Sequence, residues 1–203
     1  MTDGLFLSFE GIDGSGKSTQ ARRLADHLRA LGREVVLTRE PGGSPGAEEI
    51  RRLVLEGAPD RWSARTELLL FTAARRDHVE RLIRPALDRG ATVISDRFVD
   101  STRVYQGASR GDLRHLVDLL HEEVIGLTPA RTFLIDIPPE CGLARALGRS
   151  GEEVRFESFG LDMARRMRAG FLDLARADPE RIAVIDGGAA EDAVAAAVVE
   201  ALP

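Results

Sequence analysis

Asparagine does not occur in the 203 residues, and lysine occurs once, as Lys17. Without asparagine there can be no N-K-x-D element, the guanine-reading device common in GTPases, and no L-S-G-G-Q run of the ABC type is present. Basic character otherwise rests on 27 arginines. The lone lysine therefore marks a position that needs a compact ammonium on a flexible stem and not a planar fork. Cysteine is almost absent too. Cys141 has no second thiol with which to form an intramolecular disulfide, which fits a reducing compartment, and it reads as a small buried apolar side chain. No uncharged apolar run approaches the ~18 residues of a membrane span. The opening MTDGLFLSFE lacks a basic segment followed by an apolar one, so a cytoplasmic location is expected. A net charge of −5 excludes a broad basic face for nucleic acid or anionic membrane. Any anion must be bound locally.

What is present is an alternation of short β-rich runs with stretches long enough for helices. Strands are expected at Leu5–Phe9, Val35–Thr38, Thr92–Asp96, Thr132–Ile137 and Ile182–Asp186, which reads as βαβ units around a parallel sheet. Helical spacing is visible in Leu24, Leu28 and Leu31 and in Leu113, Leu116, Val117 and Leu120. Pro85 should kink or divide the stretch Ala64–Asp88, because it lacks a backbone donor and clashes with the preceding turn. The alanine-rich tail Ala189–Leu202 predicts a last helix. Pro41–Gly46 and the charged Gly148–Glu157 are candidates for mobile segments in a single domain spanning residues 1–203.

The sequence GIDGSGKST, Gly11 to Thr19, has the spacing G-x-x-x-x-G-K-S and lies between an expected strand and an expected helix. That context makes it a phosphate loop. Glycines let successive N–H groups converge on an anion, the helix start adds partial positive charge, and Lys17 supplies a full one. Gly11, Ile12, Asp13, Gly14, Ser15, Gly16, Lys17, Ser18 and Thr19 thus form the expected site for the phosphates of a nucleoside triphosphate, with the Ser18 hydroxyl placed for magnesium. The loop alone names no reaction. A small phosphotransferase and an ATP-dependent switch are the competing classes.

Four further stretches stand in order after the loop: TREPGG at Thr38–Gly43, FTAAR at Phe71–Arg75, DRF at Asp96–Phe98 and STRVYQG at Ser101–Gly107. With the loop, they make the chain resemble the bacterial thymidylate kinases essentially from end to end. The resemblance implies a P-loop NTPase three-layer α/β fold with a five-stranded parallel sheet, a short lid at about residues 145–157, a homodimer, and transfer of the γ-phosphoryl of ATP to dTMP in dTTP synthesis. Arg39 and Arg97 follow expected strands, at the sheet edge where α/β folds bind ligands, and their guanidinium forks suit an acceptor phosphate. Ion pairs with Glu40 or Asp96 are the alternative for them. Phe71 and Arg75 share a helix face. The resemblance makes them a stacking plane and a cation for thymine, although Phe71 on its own reads as core.

The resemblance further brings Ser101, Tyr105 and Gln106 to the nucleoside, with Tyr105 crowding the position of a 2′-hydroxyl, and Asp13 to the acceptor 3′-hydroxyl near magnesium. Asp13 turned outward to cap the loop is the other reading. Asp96 ends the apolar run TVISD and suits magnesium through water, or else an N-cap or a bridge to Arg97. Glu40 is a weaker candidate in the same neighbourhood. Phe98 replaces the tyrosine or histidine usual in the family and is left out of the expected site. The loop has no arginine between its glycines, a pattern that in one branch of the family goes with catalytic arginines in the lid. That gives Arg149 and Arg155 a catalytic role and Arg145 a place at ATP, against the reading of a solvated helix face.

Overall fold

A computed structural model describes residues 4–58, 61–108, 112–147 and 160–203. Strands β1 (Leu5–Glu10), β2 (Val35–Arg39), β3 (Thr92–Asp96), β4 (Arg131–Asp136) and β5 (Ile182–Asp186) form one parallel sheet in the order β2-β3-β1-β4-β5. Each begins and ends within one residue of its expected bounds. The central β1 and β3 are buried nearly throughout, as strands covered on both faces must be. Successive residues serve opposite layers: Phe6 packs with Leu68, Ile83, Phe98 and Val117, while Leu7 packs with Leu24, Leu28, Phe133 and Val198.

Helix α1 (Lys17–Ala30) and the last helix, α9 (Glu191–Glu200), cover one face. The stretch from Ala64 divides ahead of Pro85: α3 (Ala64–His78), a π-helical turn at Val79–Ile83, then α4 (Arg84–Asp88) with Pro85 in its first turn. The wide turn takes up the hydrogen bond that proline cannot donate. Two more π-helical turns, Arg103–Ala108 after α5 (Val99–Thr102) and His121–Ile125 after α6 (Arg114–Leu120), had no sequence signal. Helices α2 (Pro45–Leu55), α7 (Pro139–Leu147) and α8 (Gly160–Ala177) complete the outer layers.

Two expectations are corrected here. Pro41–Gly46 is tied down: the Gly43 N–H donates to Glu48 (2.9 Å), the Ser44 hydroxyl donates to Asp77 (2.6 Å), and Pro45 already opens α2. Cys141 is exposed, because the face of α7 turned inward is that of its neighbour Gly142. Of the lid, Arg145 is exposed near the end of α7, while Arg149 and Arg155 lie outside the described residues. Among the described residues no helix is long and apolar enough to cross a membrane.

Sheet register positions the site. Phe9 and Arg39 both pair with Asp96, so the carboxyl ends of β1, β2 and β3 are level, and the chain leaves them side by side. The strand order reverses direction beside β1, which is where open α/β sheets bind ligands.

Candidate active site

At that edge lies a cavity of ≈ 320 Å³. One wall is the phosphate loop. Gly16 caps α1 in the left-handed region (φ 94°), with no side chain accepting from the first turn and no acidic residue in it, so the helix start faces the cleft as an unscreened cluster of donors. Lys17 curls back over the loop, its Nζ 3.5 Å from Ile12 O and from Asp13 Oδ1. Burial, and then Arg97, hold its pKa below the usual lysine range.

Asp13 does not turn outward. Its Oδ1 accepts from Arg97 Nη2 at 2.6 Å, and the Tyr105 hydroxyl donates to its Oδ2 at 3.4 Å. Burial pushes this carboxyl up, but Arg97 and then Lys17 overcome that and bring it to about 2. Arg97 sits at φ 73°, uncommon for a residue with a Cβ. It is fixed there by its N–H donating to Phe9 O (2.9 Å) and its carbonyl accepting from Ser95 Oγ (2.8 Å). Its Nη1 donates to Ser101 Oγ (2.9 Å) and Gly11 O (3.3 Å), and the guanidinium lies 5.2 Å from the Tyr105 ring centre. Its ion pair is with Asp13, and not with Asp96, the pair weighed as the alternative to a phosphate. Arg39 is half exposed at the mouth and pairs with Glu48 (3.1 Å), and not with Glu40, the ion pair weighed as the alternative to a phosphate.

Glu40 instead belongs to the opposite wall. Its carboxylate accepts from Arg75 Nε at 2.7 Å and lies 3.1 Å from His78 Nδ1, an ion pair with both members almost fully buried. Both of its oxygens are thus engaged, although it lines the cavity. Arg75 also donates to Thr102 (2.9 Å) and lies 5.0 Å from the centre of the Phe98 ring. Phe98 therefore does line the cavity, as the platform under Arg75, which corrects its omission. Phe71, Arg75, Ser101, Tyr105 and Gln106 all line the same space, together with Arg51, Leu55 and Thr102, which the sequence reading missed. Gly11, Ile12, Ser15, Gly16 and Thr19 contribute to the loop without lining the cavity, and Arg145 does not line it.

Glu10, also missed, is buried beneath this wall. It accepts from the backbone N–H of Phe98 (2.8 Å) and of Ser101 (3.1 Å) and from Ser101 Oγ (2.6 Å). Burial and the nearby Asp100 raise its pKa to about 7 against the pull of Arg97. No motif could have found it, since its partners lie some ninety residues away in the chain.

The donor set fits magnesium. Ser18 and Asp96 border the cavity, and Asp96 Oδ1 is buried without a hydrogen-bond donor among the described residues. No cluster of three or more metal-ligating residues is found among them. One carboxylate and one hydroxyl, with water and phosphate oxygens for the rest, is how Mg²⁺ is commonly held.

A phosphate loop facing a wall of arginines and an aromatic plane defines a P-loop nucleotide phosphotransferase. The thymidylate kinase family model matches residues 9–198, and the chain belongs to that family. It is 70% identical to the thymidylate kinase of Ruegeria pomeroyi, over 97% of this chain and 93% of the relative. It is 68% identical to that of Dinoroseobacter shibae, over 97% and 95%. The crystal structure of thymidylate kinase from Ehrlichia chaffeensis superposes with a TM-score of 0.79 at 36% identity, covering 99% of both chains. The reaction is that of the family: a phosphoryl group passes from ATP to dTMP, giving dTDP.

Proposed function

We propose that the two walls divide this reaction between them, with ATP phosphates on the loop and dTMP on the arginine wall. The observation that carries the proposal is the Asp13–Arg97 pair, which joins the loop to the acceptor wall across 2.6 Å. Lys17 and the start of α1 neutralise the donor phosphates. Ser18 and Asp96 hold magnesium, which supplies charge neutralisation on those phosphates when bound. Arg97 and Arg39 orient the acceptor phosphate, Phe71 stacks on thymine, and Arg75 donates to a base carbonyl. Ser101 and Tyr105 shape the sugar site, with Tyr105 excluding a 2′-hydroxyl, and Asp13 takes the 3′-hydroxyl. Burial holds the Tyr105 hydroxyl well above its ordinary pKa, so it acts as a neutral donor.

The acceptor is already an anion, so no general base is needed. Alignment and charge stabilisation do the chemistry. Arg149 and Arg155 close over the transferred group, Arg145 reaches ATP, and closure excludes the water that would waste it. A cytoplasmic homodimer completes the reading.

The test is ADP formation from Mg·ATP with dTMP, dUMP, dCMP, AMP, GMP or no acceptor. Turnover should be highest with dTMP and fall by at least ~10³ in Lys17→Met, since removing a cation from the transition state costs several kcal/mol. Equal turnover without acceptor would overturn the acceptor-side roles.

A further inference from the structure

We propose that Glu67 is a positioning residue that fixes the polarity of base recognition, selecting the imide edge of thymine or uracil over cytosine. The inference rests on the acceptor site proposed above.

Glu67, Phe71 and Arg75 follow one another at intervals of four along α3, so they form a single row on one face. The row ends at the cavity with Phe71 and Arg75, and Glu67 is fully buried behind them. Gln106 reaches this row from the π-helical turn Arg103–Ala108, and its Nε2 donates to Glu67 Oε1 at 2.9 Å. A carboxamide can present either end to a neighbour, but an ionised carboxylate offers acceptors only. Glu67 therefore holds the NH₂ end of Gln106 and leaves Oε1, which takes no donor among the described residues, for the cavity. Arg75 is fixed in the same way by Glu40 on Nε and Thr102 on Nη2, which leaves Nη1 to donate.

The cleft thus presents one donor and one acceptor. The edge of thymine or uracil carries a carbonyl oxygen beside an N–H and matches both. Cytosine carries an NH₂ beside an unprotonated ring nitrogen and opposes both. A site built to pair a polar edge rejects its inverse strongly, because buried groups on both sides lose their partners. Two buried carboxylates set this pattern: Glu67 from behind the cavity wall and Glu40 from within it, its oxygens engaged by Arg75 and His78.

In Glu67→Gln, the new amide accepts either end of Gln106, and the polarity is no longer fixed. The ratio of kcat/KM for dTMP over dCMP should fall roughly tenfold or more, while the ratio of dTMP over dUMP, which share the imide edge, stays within about twofold. Loosened packing would instead lower all three rates together, and that outcome, or an unchanged dTMP:dCMP ratio in an active variant, would overturn the proposal. Absence of dTMP-dependent turnover in the unaltered enzyme would remove the acceptor site itself, a distinguishable result. Should Glu67→Gln fail to fold, the unaltered enzyme carries the test. With no asparagine and only Gln20 and Gln106, its ¹⁵N–¹H spectrum holds two side-chain amide pairs, which Gln106→Leu assigns. One Gln106 proton should lie downfield on a carboxylate hydrogen bond, with and without dTMP. Both protons at shifts of an unbonded amide would refute it.

Discussion

At the scale of residues, the site is a set of charges each held by another charge. Glu40 shows this most sharply. It is buried with Arg75 and His78, and burial raises its pKa, but Arg75 and then His78 bring it below the usual carboxylate range. Truncating one member of a buried pair strands the other, which typically costs 3–5 kcal/mol. Glu40→Ala should therefore lose at least ~3 kcal/mol in urea unfolding and raise KM for dTMP more than it lowers kcat. A loss under ~1 kcal/mol would mean that the cleft hydrates Arg75 without help. Lys17, Asp13, Phe71, Arg75 and Arg97 were legible because each stands inside a short motif. Glu10 stands outside these motifs, and Phe98, although inside one, was set aside because it is neither the tyrosine nor the histidine usual there. Glu10 meets Phe98 and Ser101 only because β1 lies beside β3 with Phe9 opposite Asp96, and no spacing along the chain encodes that pairing. Cys141 was misjudged for a similar reason: which side of α7 turns inward is decided by the loop it packs on.

At the scale of elements, α7 and the phosphate loop meet through two glycines. A Cβ on Gly14 would come within 2.1 Å of the Gly142 carbonyl oxygen, and a Cβ on Gly142 within 2.8 Å of the Asp13 carbonyl oxygen and of Ile12 Cδ1. Gly14 also sits at φ 79°, where any side chain is strained. Gly142 is helical, so propensity alone favours alanine there by ~1 kcal/mol. The contact with Asp13 opposes this, since backbone cannot yield as a side-chain tip does. Gly142→Ala should lower kcat and leave stability unchanged or reduced. A gain near 1 kcal/mol with full activity would show that α7 can back away from the loop. Two helical stretches were bounded in the sequence, Ala64–Asp88 and Ala189–Leu202, and they are found as α3 to α4 and as α9. The π-helical turns were not legible there, because they are compromises among hydrogen bonds, and only Pro85 left a mark in the sequence.

At the scale of the whole molecule, the alternation of strands and helices announced a parallel sheet, but the order β2-β3-β1-β4-β5 depends on contacts between distant segments. One consequence of that assembly is a pair of opposed titrations in a single layer. Phe98, whose N–H donates to Glu10, lies with its ring 6.2 Å from that of His121. Burial and Asp100 raise Glu10 to about 7 from 4.5, so between those values the folded state keeps a proton that the unfolded chain releases. Stability from this group is complete below pH 4.5 and is lost as pH rises to 7, by about 3 kcal/mol. Burial, Arg103 and Arg75 lower His121 to about 4 from 6.5, so here the unfolded chain binds the extra proton. Stability from His121 is complete above pH 6.5 and is lost as pH falls to 4, again by about 3 kcal/mol. The two nearly cancel between pH 4.5 and 6.5, and the enzyme should show a plateau there. Glu10→Gln keeps the acceptor for the Phe98 and Ser101 N–H groups while removing the titration, so its urea midpoint should climb from pH 4.5 to 6.5. His121→Phe should show the opposite slope, falling from pH 4.5 to 7. Parallel curves for the enzyme and both variants would mean that neither group changes its proton affinity on folding.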